Sequence, residues 1–110
     1  MLDKLREILE DEDKRILTVD EIQAGCEKVL AKYDVDYCYL FGSYAKGNAR
    51  EDSDIDLLIS TSITGLNFFA LVEELREALR KKVDILDFKQ LENNMYLLNE
   101  ILKDGIKIYG

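Results

Sequence analysis

Asp54 and Asp56 stand one residue apart in Asp52-Ser53-Asp54-Ile55-Asp56-Leu57. In an extended strand, residues two apart point to the same face, so both carboxylates lie side by side. Two like charges about 4 Å apart at an effective dielectric of about 20 repel by about 4 kcal/mol. Without a cation, one of the pair is expected to hold a proton. A divalent cation removes that cost, so the arrangement predicts a metal. The competing reading is two solvated acids ahead of a buried strand, and Asp-x-Asp alone does not separate the two. A calcium loop fails on spacing. Taking Asp52, Asp54 and Asp56 as its first ligands puts Leu57 where Gly is needed and Ile63 where the bidentate Glu is needed. Starting at Asp11 fails the same way, with Ile16 and Ile22 in those places.

Two further features frame the pair. Gly42-Ser43 follows the apolar run Val35 to Phe41. Glycine there lets the backbone turn sharply or approach a ligand, and Ser43 adds a hydroxyl among free N–H groups, a setting that suits phosphate oxygens. By itself the dipeptide reads as a turn. Asp84, in Lys82-Val83-Asp84-Ile85-Leu86-Asp87, shares a strand face with Lys82 and Leu86. A charge on a face with Leu is unusual unless partnered. If its strand lies beside the one after Asp54, three carboxylates converge. Asp87, at the strand exit, is the competing candidate and reads as exposed.

Composition narrows the chemistry. The chain of 110 residues has 23 acidic and 15 basic residues, a net charge of −8, no His, and two Cys. No imidazole base, Ser-His-Asp triad or His-ligated metal is available. Two Cys without His do not supply a structural zinc site. A metal must be a hard cation held by oxygen. Acidity argues against a basic nucleic-acid clamp, so no direct nucleic acid is expected. No apolar run approaches the roughly 20 residues of a membrane span. Cys26 and Cys38 read as reduced thiols of a cytoplasmic protein, with Cys26 on the apolar stripe Ile22, Cys26, Val29, Leu30.

The elements that position these residues follow from periodicity. Leu2, Leu5, Ile8 and Leu9 suggest a short helix within an N-terminal helical extension, residues 1–17, joined through a charged connection at Asp11 to Arg15. The first ten residues mix charge and Leu, unlike a secretory signal. Thr18-Val19-Asp20-Glu21 forms a capping box opening a helix to about Tyr33. Strands are expected at Val35 to Phe41, Asp54 to Ile59 and Val83 to Phe88, with a short last one at Ile106 to Tyr109. The apolar Leu57-Leu58-Ile59 suggests a central strand. Phe68, Leu71, Val72, Leu75 and Leu79 form a helix stripe. Phe69, beside that stripe, reads as a widening of the core face. A helix from Leu91 to Lys103 shows Leu91, Met95, Leu98 and Leu102 on one face, with Gly105 as its C′ residue. The pattern is an α+β, α/β-like domain spanning 1–110, with no linker or internal repeat. Strand order cannot be read from it.

These residues together resemble the DNA polymerase beta-like nucleotidyltransferase superfamily. Gly42-Ser43, ten residues, then Asp54-x-Asp56 is similar to its signature. The run from Leu40 through Gly47 to Ile59 is similar to its minimal nucleotidyltransferase (MNT) branch, as are Lys82 to Leu86 and the ending Ile101 to Tyr109. The resemblance covers about residues 19 to 110. Lys46 stands where the family commonly has Arg, keeping the charge but not the planar fork.

The resemblance implies a mixed sheet of about four strands packed by helices. It implies two Mg²⁺ ions on Asp54, Asp56 and Asp84, with Asp84 able to take the acceptor's proton. Gly42, Ser43 and Lys46 would hold the phosphates of a nucleoside triphosphate, ATP. MNT proteins are often antitoxins encoded beside a HEPN-domain ribonuclease toxin, so a hetero-oligomer is implied, with AMP transferred to a tyrosine of the toxin. The alternatives are neutralisation of a partner by binding alone, with Phe69 as one anchor, and nucleotide transfer to a small molecule, for which 110 residues leave little room.

Overall fold

The computed structural model describes residues 15–110. The expected helix through Leu2 to Leu9 lies outside them. Of the expected helical extension, residues 15–17 are described and are not helical, because Thr18 caps a helix that starts only at Val19. Leu17 packs into the core instead.

Helix α1, Val19–Leu30, opens on the expected capping box. The Glu21 N–H donates to Thr18 Oγ1 (3.1 Å), and the Thr18 N–H donates to Glu21 Oε1 (3.0 Å). The helix stops at Leu30, ahead of Tyr33. Strand β1, Val35–Phe41, runs into a five-residue helix α2, Gly42–Lys46. Strand β2, Ile55–Thr61, begins one residue after Asp54 and continues past Ile59. Helix α3 spans Gly65–Leu79 and strand β3 spans Val83–Asp87. A 3₁₀ turn, Phe88–Leu91, leads to helix α4, Met95–Asp104, and then strand β4, Ile106–Tyr109.

The four strands form a mixed sheet in the order β3-β2-β1-β4. β2 is central, antiparallel to β1 and parallel to β3. Alternation along each strand divides two cores. Ile55, Leu57 and Ile59 of β2 join Cys38 and Leu40 of β1 against α1 and α3. Leu58 faces the other way, onto Leu91, Leu98 and Ile101. By the same period, Asp56 shares the face of Leu58, and Asp84 shares that of Leu86.

Three expectations change at helices. The segment after β3 is not one helix. Asp87 caps the 3₁₀ turn, and Asn94 then caps α4 by accepting from the Leu97 N–H at 3.1 Å. This new start turns Leu98 and Ile101 inward and leaves Met95 57% and Leu102 41% exposed. Gly105 follows α4 as its C-cap in an extended conformation (φ −77°, ψ 161°), donating to the Ile101 carbonyl. Phe69 is 62% exposed, so it is not a widening of the core, because α3 buries only the Leu71, Leu75 and Leu79 edge.

Candidate active site

β1 ends at Phe41 and the chain enters α2 with Gly42 at φ +72°. A side chain there would collide with Asp56. A Cβ built on Gly42 would lie 3.1 Å from Asp56 Cγ and closer still to Oδ2. The glycine therefore makes the room that the carboxylate occupies. The antiparallel register, which sets Phe41 opposite Asp56, causes this approach.

The parallel register between β2 and β3 sets Asp56 directly opposite Asp84. Asp54 precedes Asp56 by two residues and is half-buried, while Asp84 is exposed on edge strand β3. The pKa of Asp56 is raised from the ordinary aspartate value, first by burial, then by the charges of Asp84 and Asp54. Repulsion among these carboxylates is what their spacing predicts. Among the described residues no group of three or more His, Cys, Asp or Glu is closed around one point. The arrangement is an open carboxylate set on the sheet, next to the Gly42 turn. Asp87 lies apart. It is opposite Ile59, at the other end of the strand pairing, and accepts from the Lys89 N–H at 3.0 Å.

Residues 25–110 match the family described as polymerase beta nucleotidyltransferase. The chain belongs to this family. It is a nucleotidyltransferase. Among its relatives is a Methanocaldococcus jannaschii protein named as a candidate protein adenylyltransferase, 31% identical over 94 residues, covering 84% of this chain and 99% of the relative. The protein adenylyltransferase MntA of Thermococcus cleftensis is 38% identical over 69 residues, covering 58% of this chain and 70% of MntA. A solved structure described as a candidate minimal nucleotidyltransferase superposes with a TM-score of 0.69 at 32% identity, covering 82% of this chain and 95% of that one. A toxin–antitoxin crystal structure with AMP-PNP gives 0.67 at 25% identity, covering 80% and 73%.

Within this nucleotidyltransferase the structure brings Gly42, Asp54, Asp56 and Asp84 to one end of the sheet, with Ser43 in the first turn of α2. Lys46 is exposed at the last residue of α2. It lines a cavity of about 250 Å³ between α2 and α4, together with Phe41, Gly42, Ala45, Leu97, Ile101, Glu100 and Asp104. None of the three candidate carboxylates lines that cavity, so Lys46 sits beside the carboxylate set rather than in it. Both thiols are buried and free. Burial pushes Cys26 up to about 12 and Cys38 well above the ordinary thiol value, so neither is a nucleophile at neutral pH.

The sequence pattern does not reveal the support of the loop between α2 and β2. The Arg50 N–H donates to Ser53 Oγ (2.8 Å), and the Ser53 N–H returns to the Arg50 carbonyl (3.0 Å). Lys81, 5% exposed, donates from Nζ to the Glu51 carbonyl at 3.1 Å. In sequence Lys81 is one of two adjacent lysines, and nothing distinguishes the buried one from the exposed one.

Proposed function

We propose that this nucleotidyltransferase moves AMP from ATP to a hydroxyl of a partner protein, a tyrosine of a HEPN-domain toxin, and so acts as an antitoxin in the cytoplasm. The observation that carries the reading is the pairing of Asp56, on central β2, with the exposed Asp84 of edge strand β3. A buried site would admit only a small acceptor. An exposed base on an edge strand is open to a side chain presented by another protein. The relatives named as adenylyltransferases and the likeness to a toxin–antitoxin structure with AMP-PNP support the same reading.

The donor set fits Mg²⁺. It is all oxygen, and burial together with the neighbouring Asp84 and Asp54 carboxylates, which raise Asp56, leaves a concentration of negative charge that a divalent cation relieves. Mg²⁺ is commonly held by one or two carboxylates plus substrate phosphates, which suits an open set. Asp54, Asp56 and Asp84 would hold two ions. When bound, the metal neutralises charge on the phosphates and lowers the acceptor hydroxyl's pKa.

The chain's own residues do the rest. Gly42, having no side chain, lets backbone and Asp56 lie close together, and the Gly42–Ser43 backbone and the Ser43 hydroxyl would hold the terminal phosphates. Lys46, exposed at the end of α2, would add a point charge to the triphosphate. The acceptor oxygen bonds to the α-phosphorus, the bond to the bridging oxygen breaks, and pyrophosphate leaves. Asp84, exposed on the edge strand, would take the hydroxyl proton.

The test incubates the protein with labelled ATP, Mg²⁺ and the HEPN protein encoded beside it. Label is expected on a toxin tyrosine and absent with D54A/D56A. Failure to transfer label, or transfer undiminished in that double variant, overturns the reading. The exposed Phe69 favours a second reading, in which binding alone neutralises the partner. A D54N/D56N/D84N variant that still suppresses the toxin would establish it.

A further inference from the structure

Helix α3 ends at Arg80, which adopts a left-handed conformation (φ 55°, ψ 36°). That conformation is uncommon for a residue with a side chain. It reverses the chain within one residue and is followed by the buried Lys81. Lysine is almost never fully buried unless its ammonium is paired. Here Nζ donates to the Glu51 carbonyl at 3.1 Å, a charge-assisted bond to backbone. The next residue continues the contact, because the Lys82 carbonyl accepts from the Ile55 N–H at 2.9 Å. The two residues just ahead of β3 thus grip the chain at Glu51 in the α2–β2 loop and at Ile55, the first residue of β2, the two positions that bracket Asp54. Two residues beyond Lys82, the same strand presents Asp84.

We infer that Lys81 is a positioning residue for nucleotidyl transfer. By clamping the backbone at Glu51 it holds Asp54 in register with Asp56 and Asp84. The inference rests on the reading of Asp54 as a metal-holding carboxylate. Between the backbone bonds of Asn48 to Ser43 and of Ile55 to Lys82, a loop carrying a ligand and tied only by its own Arg50–Ser53 turn would sample more positions. Tying it to the strand that carries Asp84 makes the separation of the carboxylates a property of the sheet. Residues that orient metal ligands from behind typically change metal affinity or activity by roughly 10–100-fold when replaced.

The experiment compares K81M, which keeps length and removes the donor, with wild type and D54N. Amide hydrogen exchange is measured over residues 48–54 and over Leu40, Leu57 and Leu58 in the sheet. The Mg²⁺ concentration for half-maximal shift of the Ser53 amide resonance, and for half-maximal transfer, is measured in parallel. In K81M, exchange over 48–54 is expected to quicken about tenfold or more, with the sheet amides unchanged and the Mg²⁺ midpoints raised about tenfold or more. Wild-type midpoints overturn the proposal, whether loop exchange is unchanged or protection is lost evenly over loop and sheet. D54N is expected to abolish the Mg²⁺ response with loop exchange intact. If D54N keeps the wild-type response, the reading of Asp54 fails, and the role of Lys81 fails with it. K81L, which also removes the donor, is read by the same criteria if K81M does not fold. Unfolding of both would assign Lys81 to the core alone and overturn the proposal.

Discussion

A Cβ at Gly42 meets two obstacles that separate cleanly. The left-handed φ of +72° costs a side-chain-bearing residue about 1–2 kcal/mol. The Asp56 carboxyl carbon 3.1 Å away adds a steric one. Gly47 has the first obstacle, at φ +78°, and not the second, because nothing lies within 4 Å. G47A is expected to lose the backbone cost alone in thermal melts, while G42A melts lower still from the added clash and is the one to lose transfer activity. Equal activity in both would show that Gly42 does no more than turn the chain. Asp56 makes a second prediction at this scale. Its folded pKa is raised, by burial first. A group raised on folding contributes stability that is whole below its unfolded value and lost as pH rises through its folded value. Metal-free protein is thus expected to lose melting temperature as pH rises from the carboxylate range to neutral. D56N should lose less, and should melt higher than wild type at pH 7 in EDTA despite being inactive. A lower melting temperature for D56N across that whole range would refute the charge argument.

At the scale of elements, what was legible depended on what carried the signal. Strands β1 and β2 were legible because their alternation and β-branched content are local. The capping box of α1 was legible because the Thr18 and Glu21 side chains each bond the other's backbone only three residues away. T18A is expected to cost about 1 kcal/mol, seen as a lower denaturation midpoint with an unchanged slope. The phase of α4 was not legible. A continuous Leu91, Met95, Leu98, Leu102 stripe exists in the sequence, and only packing shows that Asn94 restarts the helix and turns Ile101 inward. The pairing of Asp56 with Asp84 was conditional for the same reason. Residues 56 and 84 are brought together by strand order, which no local pattern encodes. The resemblance to the nucleotidyltransferases supplied that link, and the parallel register of β2 and β3 matches it. Lys81 lay beyond both, since its partner is a main-chain carbonyl and a carbonyl has no sequence identity.

For the whole molecule the question is how a chain of net charge −8 would attract the triphosphate that its proposed function requires. Uniform acidity repels the nucleotide and strains the folded state by self-repulsion. Any salt relieves part of that, since the Debye length is about 10 Å at 0.1 M. A carboxylate set that binds Mg²⁺ does something further. It converts a repulsive cluster of carboxylates into a local positive site and stabilises the fold by mass action. The two effects are separable. At matched ionic strength, MgCl₂ and NaCl should raise the melting temperature equally if acidity acts only as a diffuse field. Mg²⁺ is expected to raise it by several degrees more than NaCl, corresponding to about 1–3 kcal/mol when free Mg²⁺ is roughly ten to a hundred times its dissociation constant. The excess should vanish in D54N/D56N, while the NaCl response remains, because the other 21 acidic residues (23 − 2) still provide the field. An excess that survives in the double variant would place the cation elsewhere on the acidic surface and would leave the paired strands without their proposed role.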